Sequence, residues 1–237
     1  MGYRGAVVDR KIAIVGGTGA EGTGLALRFA KAGASIFIGS RNLDKAEATA
    51  RHVASLAGLG KVTGHSNADA AASANIVILT VPLSAQVETL KSIRGSLNRD
   101  TLLVDATVPL EAAIGGRVSR LVTLWDGSAA QQAARLVGPD VRVVAAFHGL
   151  GAEALAQVDQ AVDCDALICG DSADAKLVVS ELAEMIPGVR AIDAGPLDNA
   201  RFLETSAAML IALNLRHKVR HSGMRITGLP GLSGPGE

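Results

Sequence analysis

The strongest chemical signal in the sequence is a glycine-rich segment. Residues 17–22 read Gly17-Thr18-Gly19-Ala20-Glu21-Gly22 and match the pattern G-x-G-x-x-G. The segment follows a predicted strand, Lys11–Val15, and opens a helix predicted over residues 25–32, which is the context that this fingerprint requires. Glycines there allow a tight turn and let backbone N–H groups approach a pyrophosphate closely. The segment therefore predicts a dinucleotide site, and an ordinary glycine turn is the alternative.

The end of the second predicted strand, residues 35–38, indicates which dinucleotide binds. Sites for NAD usually carry Asp or Glu there, and this carboxylate holds the ribose 2′-hydroxyl. The sequence has Ser40 and Arg41 instead, with Lys45 one helical turn further on. A hydroxyl and two cations suit a 2′-phosphate, so we predict NADP rather than NAD. The alternative, a solvated helix start, is less favourable because cations there oppose the helix dipole.

Three other sets of polar residues are candidates for the site. His148 follows a predicted strand, residues 141–146, and is either an orienting donor to a bound ring or phosphate or a structural histidine. Asp105 ends the predicted strand Leu102–Asp105, where ligands bind in α/β sheets, or it caps a turn. A basic cluster at the end of the last helix either complements the helix dipole or, with Arg225, attracts an anionic substrate. This cluster consists of His217, Lys218, Arg220 and His221.

Alternating strands and helices must position these residues. Further strands are predicted over residues 62–65, 76–80, 102–105, 141–146, 165–169 and 189–192. Helices are predicted over residues 43–57, 67–73, 85–93, 128–136 and 173–186, with a long one from 198 or 199 to about 221. Such β-α-β units with short connections predict an α/β, Rossmann-type, doubly wound and mostly parallel sheet with a long C-terminal helix and a tail. We assign residues 1–195 to an NADP-binding domain and residues 196–237 to a C-terminal helix and tail.

The composition excludes several classes of protein. The 237 residues carry 23 basic and 23 acidic side chains, and this zero net charge argues against a nucleic-acid binder. Hydrophobic residues make up 49%, which excludes disorder. The longest apolar runs, residues 74–83 and 207–215, are shorter than the roughly 20 residues that span a bilayer. The first ten residues lack a signal-peptide pattern, so we expect a cytoplasmic protein that acts on small molecules.

The two cysteines and the apolar run in the last helix bear on assembly. Cys164 and Cys169 are five positions apart and would face opposite sides of a strand, so they form no disulfide. Without clustered histidines, they predict no metal site. Residues 207–215 are apolar on nearly all sides of the helix. Such a helix is buried either in the core or against a second subunit, and we favour a homodimer.

The chain resembles the NADPH-dependent coenzyme F420 reductases, or F420H2:NADP oxidoreductases. The similarity begins with residues 12–48, IAIVGGTGAEGTGLALRFAKAGASIFIGSRNLDKAEA. It continues through the motifs TVP (80–82), DATVPL (105–110), DGSAA (126–130), AFH (146–148), CGD (169–171), DAGPL (193–197) and GMRITG (223–228). It therefore covers nearly the whole chain in order, and the last two motifs are the most particular.

The resemblance implies hydride transfer between NADPH and the 5-deazaflavin F420. It places Thr18, Gly19, Ala20 and Glu21 at the pyrophosphate and Ser40, Arg41 and Lys45 at the 2′-phosphate. It also implies that Val81, Leu83 and Val108 line the nicotinamide, that Ala152 lies on its far side, and that residues 223–227, including Gly223, Met224 and Thr227, meet the deazaflavin.

Hydride transfer between two flat rings requires positioning, with the reacting carbons about 3–3.5 Å apart, rather than a catalytic acid or base. Two alternatives remain open at this stage. One is an NADPH-dependent reductase of another small acceptor, such as a flavin, pterin, imine or carbonyl compound. The other is a non-catalytic redox sensor that binds NADP.

Overall fold

The computed structural model describes residues 10–58 and 60–230, and the predicted tail beyond residue 230 lies outside this range. Eight strands form one sheet in the order β3-β2-β1-β4-β5-β6-β7-β8. The strands are β1 Lys11–Val15, β2 Ser35–Ser40, β3 Val62–Ser66, β4 Ile76–Leu79, β5 Leu102–Asp105, β6 Arg142–Ala145, β7 Cys164–Gly170 and β8 Val189–Asp193. The helices are α1 Ala20–Lys31, α2 Leu43–Ala57, α3 Asn67–Ala72, α4 Leu83–Ile93, α5 Ala129–Val137, α6 Ala152–Ala156, α7 Ala173–Glu184 and α8 Ala200–His217.

The sheet is parallel except at one place. Every neighbouring pair of strands runs parallel apart from β6 and β7, which are antiparallel. The strand order reverses between β1 and β4, where consecutive β-α-β units are wound in opposite directions. In such sheets the carboxyl ends of the strands at the reversal form a crevice for ligands. The prediction of a Rossmann-type, mostly parallel sheet is confirmed.

Helices cover both faces of the sheet. Alternate residues of β1 enter two different cores: Ile12 and Ile14 pack on one side, and Ala13 and Val15 on the other. The first face is covered by α1, α2, α6 and α7, and the second by α3, α4, α5 and α8. Burial on both faces explains why the strands are continuous aliphatic runs rather than alternating ones.

Two helices differ from their predicted bounds by more than two residues at one end. Helix α1 begins at Ala20, inside the glycine segment, because Gly19 already has the extended backbone of an N-cap. Helix α8 ends at His217 rather than near residue 221, because Lys218 adopts a left-handed conformation with φ 54°. The short helix α6 was not predicted at all. Its sequence follows two glycines, Gly149 and Gly151, which read as a turn.

The all-round apolar segment of α8 is buried on one side only. Ala207, Ala208 and Leu210 are buried within the protomer, whereas Met209 is 47% and Leu213 38% exposed. The helix packs against α5 and β7, so the C-terminal region is joined to the sheet. The division at residue 195 remains a prediction.

Both cysteines are buried on β7 as free thiols. No helix among the described residues is long and apolar enough to cross a membrane. Within the same residues, no group of three or more His, Cys, Asp or Glu side chains could hold a metal ion.

Candidate functional site

The glycine segment forms a tight turn between β1 and α1. A Cβ atom on Gly17 would lie 2.7 Å from the Ile14 carbonyl oxygen, and one on Gly22 would lie 2.6 Å from Thr80 Oγ1. Both positions therefore exclude any side chain. Gly19 is different, because its nearest such contact, the Gly16 carbonyl oxygen, is 3.8 Å away. Gly19 is exposed and caps α1 without a side-chain hydrogen bond, which leaves the first N–H groups of the helix available to a phosphate.

A cavity of about 410 Å³ opens beside this turn. Its lining includes Thr18, Gly19, Ser40, Arg41 and Lys45, so five residues predicted from two separate segments come together. The Ser40 hydroxyl accepts from the Asn42 N–H at 3.1 Å, and the Asn42 side chain caps α2 by accepting from the Lys45 N–H. Arg41 and Lys45 are exposed and form no ion pair with any described residue. Two unpaired cations at a helix N-terminus are unfavourable until an anion binds there.

A larger cavity of about 780 Å³ adjoins the first and shares Gly19, Thr80, Val81 and Pro82 with it. It lies at the carboxyl ends of β1, β4, β5 and β6, where the strand order reverses. Seven of the predicted site residues line it: Gly19, Ala20, Glu21, Val81, Leu83, Val108 and Ala152. Its walls are mainly apolar, as suits flat ring systems held away from water.

His148 supplies a polar group to this cavity. The side chain lines the cavity and is 8% exposed, and neither ring nitrogen has a hydrogen-bond partner among the described residues. Burial lowers the pKa of His148 to about 4, and the Thr107 backbone opposes only part of that shift. The imidazole is therefore neutral at pH 7 and offers one donor and one acceptor. A buried ring whose one polar contact, to the Thr107 backbone, falls outside hydrogen-bond geometry is costly, which favours a bound ligand that completes its hydrogen bonds.

The backbone next to His148 is strained. Phe147 has φ 72°, a conformation that a bulky side chain rarely adopts. Its ring is buried and packs edge-on against Phe29, with 6.0 Å between centroids. This packing holds the strained turn after β6 and thereby fixes His148 in the cavity wall.

Two carboxyl groups interact at the cavity: Glu21 is half-buried and lines it, and Asp105 is buried beside it without lining it. Asp105 accepts hydrogen bonds from the Thr107 N–H and from Gln86 Nε2, each at 2.8 Å. Burial raises the pKa of Asp105 to about 6 against the effect of these bonds. Burial and the charge of Asp105 raise the pKa of Glu21 to about 8. The hydrogen bond that Asp105 accepts from the Thr107 N–H, two residues along the chain, is typical of an aspartate that caps a turn.

Gln86 and Glu204 interact with Asp105 and were missed by sequence reasoning, although neither lines a cavity of the site. The Glu204 carboxylate accepts from the Ala129 and Ala130 N–H groups at 3.1 and 3.2 Å, so it caps the start of α5. Burial raises its pKa to about 8. The available signal was a single Glu within an apolar helix. Gln86 on α4 gave no such signal, because polar residues surround it in the sequence.

The structure does not bring residues 223–227 into the large cavity. Gly223 lines a separate cavity of about 220 Å³ with Gly149 and Gly151, and the Met224 carbonyl accepts from the Asp165 N–H at 2.8 Å. Thr227 is exposed and lines neither cavity. Ser222 and Arg220, just before this segment, do line the large one. The predicted deazaflavin contact of Gly223, Met224 and Thr227 therefore remains a prediction that this arrangement does not supply.

Ion pairs explain where that segment lies. Arg225 donates to Asp165 at 2.7 Å and also pairs with Asp163. Arg190 of β8 donates to the same Asp165 carboxylate and to the Ile226 carbonyl oxygen. The segment is thereby tied to β7 and β8, and Arg225 is engaged rather than available to an anionic substrate.

The residues of the two cavities fit a bound NADP molecule. The open backbone at Gly19 and the unpaired cations Arg41 and Lys45 suit its phosphates. The apolar walls at Val81 and Val108, with the unpartnered imidazole of His148, suit a flat ring with polar edges.

Comparison with known proteins agrees with this geometry. The family model described as "NADP oxidoreductase coenzyme F420-dependent" matches residues 11–109. The F420-dependent NADP reductase of Methanothermobacter thermautotrophicus is 52% identical over 227 residues, which cover 94% of this chain and 97% of that protein. The reductase of the same name from Methanocaldococcus jannaschii is 41% identical, over 92% of this chain and 99% of that one.

Solved structures share the fold. A putative F420-dependent NADP reductase from Arthrobacter sp. FB24 superposes with a TM-score of 0.78 at 23% identity, covering 92% of this chain and all of that one. A 3-hydroxyisobutyrate dehydrogenase from Mycobacterium tuberculosis gives a TM-score of 0.64 at 15% identity, over 89% of this chain and 62% of that one. These likenesses concern the fold alone. The identity to the curated relatives extends over almost their full length, and the chain belongs to the F420-dependent NADP reductase family.

Proposed function

We propose that this protein transfers a hydride between NADP(H) and coenzyme F420. The observation that carries the proposal is the pair of joined cavities, one lined by unpaired cations and the other by apolar walls, in a chain 52% identical to an F420-dependent NADP reductase. One cavity suits the phosphates of NADP, and the other is large enough for ring systems to stack. The two cofactors supply the hydride chemistry, and the protein binds and orients them.

The phosphates of NADP are held by two elements in this proposal. Thr18, Ala20 and Glu21 present backbone N–H groups to the pyrophosphate at the start of α1. Gly19, whose own N–H donates to the Gly16 carbonyl oxygen, lets the pyrophosphate approach closely. Ser40 donates to the 2′-phosphate, Arg41 forms a charge-assisted fork with it, and Lys45 adds a point charge. Gly17 and Gly22 contribute by shaping the turn, since neither lines a cavity.

The apolar walls position the reacting rings. Val81, Leu83 and Val108 pack on the nicotinamide, and Ala152 bounds its far side. These side chains exclude water, which prevents loss of reducing equivalents to solvent. His148 donates to, or accepts from, the polar edge of a bound ring and so fixes its orientation.

The second substrate, F420, lies next to the C-terminal part of the chain in this proposal. Arg220 and Ser222 line the large cavity. Arg220 belongs to the basic cluster with His217, Lys218 and His221, and all four residues are exposed. We assign this cluster to the phosphate and acidic tail of F420. Gly223, Met224 and Thr227 meet the deazaflavin only if their segment moves from β7.

We further propose that the protein is a homodimer in the cytoplasm. The outer side of α8 exposes Phe202, Met209, Leu213 and Leu215, and a second copy of the same helix would bury them. Two buried, unpaired cysteines suit a reducing compartment. In this proposal residues 1–195 bind NADP, and residues 196–237 complete the second site and the dimer.

The activity test mixes the purified protein with NADPH and F420 and follows the loss of F420 absorbance. Turnover with F420, and none with FAD, a pterin, an imine or a carbonyl compound, is the expected result. Turnover with one of those acceptors instead would assign the protein to another class of reductase. Cofactor binding without turnover of any acceptor would indicate a redox sensor.

A further inference from the structure

We propose that Glu21 exchanges a proton with solvent in step with the charge of the nicotinamide ring, so that its carboxyl group is neutral beside NADPH and ionised beside NADP⁺. When NADP⁺ takes the place of NADPH, the Glu21 O–H bond breaks and the proton passes to water. Glu21 itself is neither oxidised nor reduced. This inference rests on the proposed function, since it requires the nicotinamide to occupy the large cavity.

The position of Glu21 is the first argument. It lies in the first turn of α1, within the segment that the resemblance places at the pyrophosphate, and it also lines the same cavity as Val81, Val108 and Ala152, the side chains assigned to the nicotinamide. Glu21 forms no hydrogen bond and no ion pair in the described part of the chain. A partly buried carboxyl group without partners is free to respond to the charge of whatever binds next to it.

The surrounding charges are the second argument. The titratable or charged side chains on the neighbouring elements are Asp105, His148, Glu153, Glu204 and Arg220, with Arg41 and Lys45 in the adjoining cavity. Arg220 pairs with Glu153 at 3.0 Å, and His148 is neutral. The remaining neighbours are the carboxyl groups of Asp105 and Glu204, and the charge of Asp105 disfavours the ionised form of both Glu21 and Glu204.

The neighbouring charges determine whether the Glu21 carboxyl group is protonated in the cofactor-free protein. Asp105 has the lowest pKa of the three carboxyls, about 6, because Thr107 and Gln86 donate to it. Glu21 has no such donor and keeps its proton up to about pH 8. The carboxyl group is therefore neutral at pH 7, which suits an uncharged dihydronicotinamide.

The charge of NADP⁺ changes this balance. A positive ring close to a carboxyl group favours its ionised form and lowers its pKa. Glu21 then releases its proton on binding NADP⁺ but retains it on binding NADPH. By linkage, the affinity for NADP⁺ relative to NADPH rises as the pH increases from 6 towards 8.

Isothermal titration calorimetry at pH 7.5 tests this directly, without turnover. Titrations in two buffers with different ionisation enthalpies give the number of protons released on binding. NADP⁺ and NADPH carry the same 2′-phosphate, so its own ionisation cancels in the comparison. We expect the wild-type protein to release roughly half a proton more per site with NADP⁺ than with NADPH. Glu21→Gln abolishes the difference, and Glu88→Gln, an exposed residue of α4, retains it.

The outcomes separate this inference from the proposed function. Equal proton release with the two cofactors in the wild-type protein overturns the inference without any variant, and so does a difference that persists in Glu21→Gln. Failure of the wild-type protein to bind either cofactor overturns the NADP site itself, and the inference with it. A difference that disappears only in Glu21→Gln supports both.

Discussion

Arg28 Nε donates to the carbonyl oxygen of Leu155 at 2.8 Å, across 127 residues of sequence. The other nitrogens of the same guanidinium donate to four more carbonyl oxygens, those of Ala154, Gln157, Val158 and Gln160. Arg28 is 2% exposed. One buried side chain on α1 therefore holds the end of α6 and the loop that follows, next to the wall of the large cavity at Ala152.

Replacing Arg28 leaves these carbonyl groups without donors. We expect Arg28→Met to lower the free energy of unfolding by about 2–4 kcal/mol, since an unsatisfied buried polar group costs roughly 1–3 kcal/mol. Urea denaturation followed by circular dichroism measures the change. The matched control is Lys31→Met on the same helix, where the ion pair with Asp159 is largely exposed and the loss stays below about 1 kcal/mol. Equal losses would mean that the carbonyl contacts contribute little.

We expect cofactor choice to depend on Arg41. Arg41→Ala weakens NADPH binding by about 1.5–3 kcal/mol, the range for hydrogen bonds to charged groups, and leaves NADH binding nearly unchanged. Fluorescence titration with both cofactors gives the two dissociation constants. Arg51→Ala, further along α2 and outside both cavities, should change neither. A loss shared equally by NADH would show that Arg41 does not bind the 2′-phosphate.

The exposed side of α8 predicts the oligomeric state. Light scattering at micromolar concentration should give a mass near twice the 24.1 kDa of the chain. Leu213→Glu places a charge on that surface and should shift the protein to monomer, because burying an unpaired charge is costly. Leu177→Glu introduces the same charge at an exposed leucine of α7 and should leave the mass unchanged. A monomeric wild-type protein contradicts the proposal.

Acid stability depends on Asp165. Burial opposes ionisation, but donors from Arg190, Ile226 and Arg225 lower the pKa of Asp165 from 3.8 to about 2. The folded protein thus binds this proton less readily than the unfolded chain does. The stabilisation is complete above pH 4 and is lost as the pH falls towards 2, and it amounts to about 2 kcal/mol. Asp165→Asn should be less stable than the wild type at pH 7 and should lose less stability as the pH is lowered. Asp174→Asn, at an exposed position of α7, should show the pH dependence of the wild type.

Glu204 has the opposite pH dependence. Burial and the charge of Asp105 raise its pKa from 4.5 to about 8, although the Ala129 and Ala130 N–H groups oppose the shift. Between these values the folded protein holds a proton that the unfolded chain has released, so this group makes stability fall as the pH rises. Glu204→Gln should flatten that fall between pH 5 and 8 in urea denaturation. The control variant Glu184→Gln changes an exposed residue of α7 and should leave the pH dependence of stability unchanged. If Glu204→Gln also leaves it unchanged, Glu204 is ionised at neutral pH in the folded protein.

The sequence was informative where local geometry decides the structure. The glycine segment and Ser40-Arg41 lie at strand ends, and parallel strands bring their carboxyl ends to one edge of the sheet. For this reason Gly19 and Val81 line both cavities, with Arg41 in the smaller and Val108 in the larger, while their roles in binding stay predictions.

Features that depend on contacts between residues far apart in the chain could not be predicted from the sequence. Strand β7 runs antiparallel to β6, and its Asp165 pairs with Arg190 and Arg225. No periodicity in the sequence encodes either feature. For the same reason the sequence did not indicate that the segment containing Gly223 and Met224 packs along β7, and its contact with the deazaflavin stays a prediction. Glu204 was missed because its role comes from α5, whose N-terminus it caps from 74 and 75 residues away.

The contact between Arg28 and the carbonyls of residues 154–160 has a consequence for folding order. Strands β1 to β5 and their helices involve neighbouring parts of the chain, so this half can assemble through short loops. Closing the loop from Arg28 to Leu155 costs more chain entropy and comes later. We therefore expect the phosphate-binding half to acquire hydrogen-exchange protection first, and the wall formed by α6 to be the last part of the cavity to become rigid.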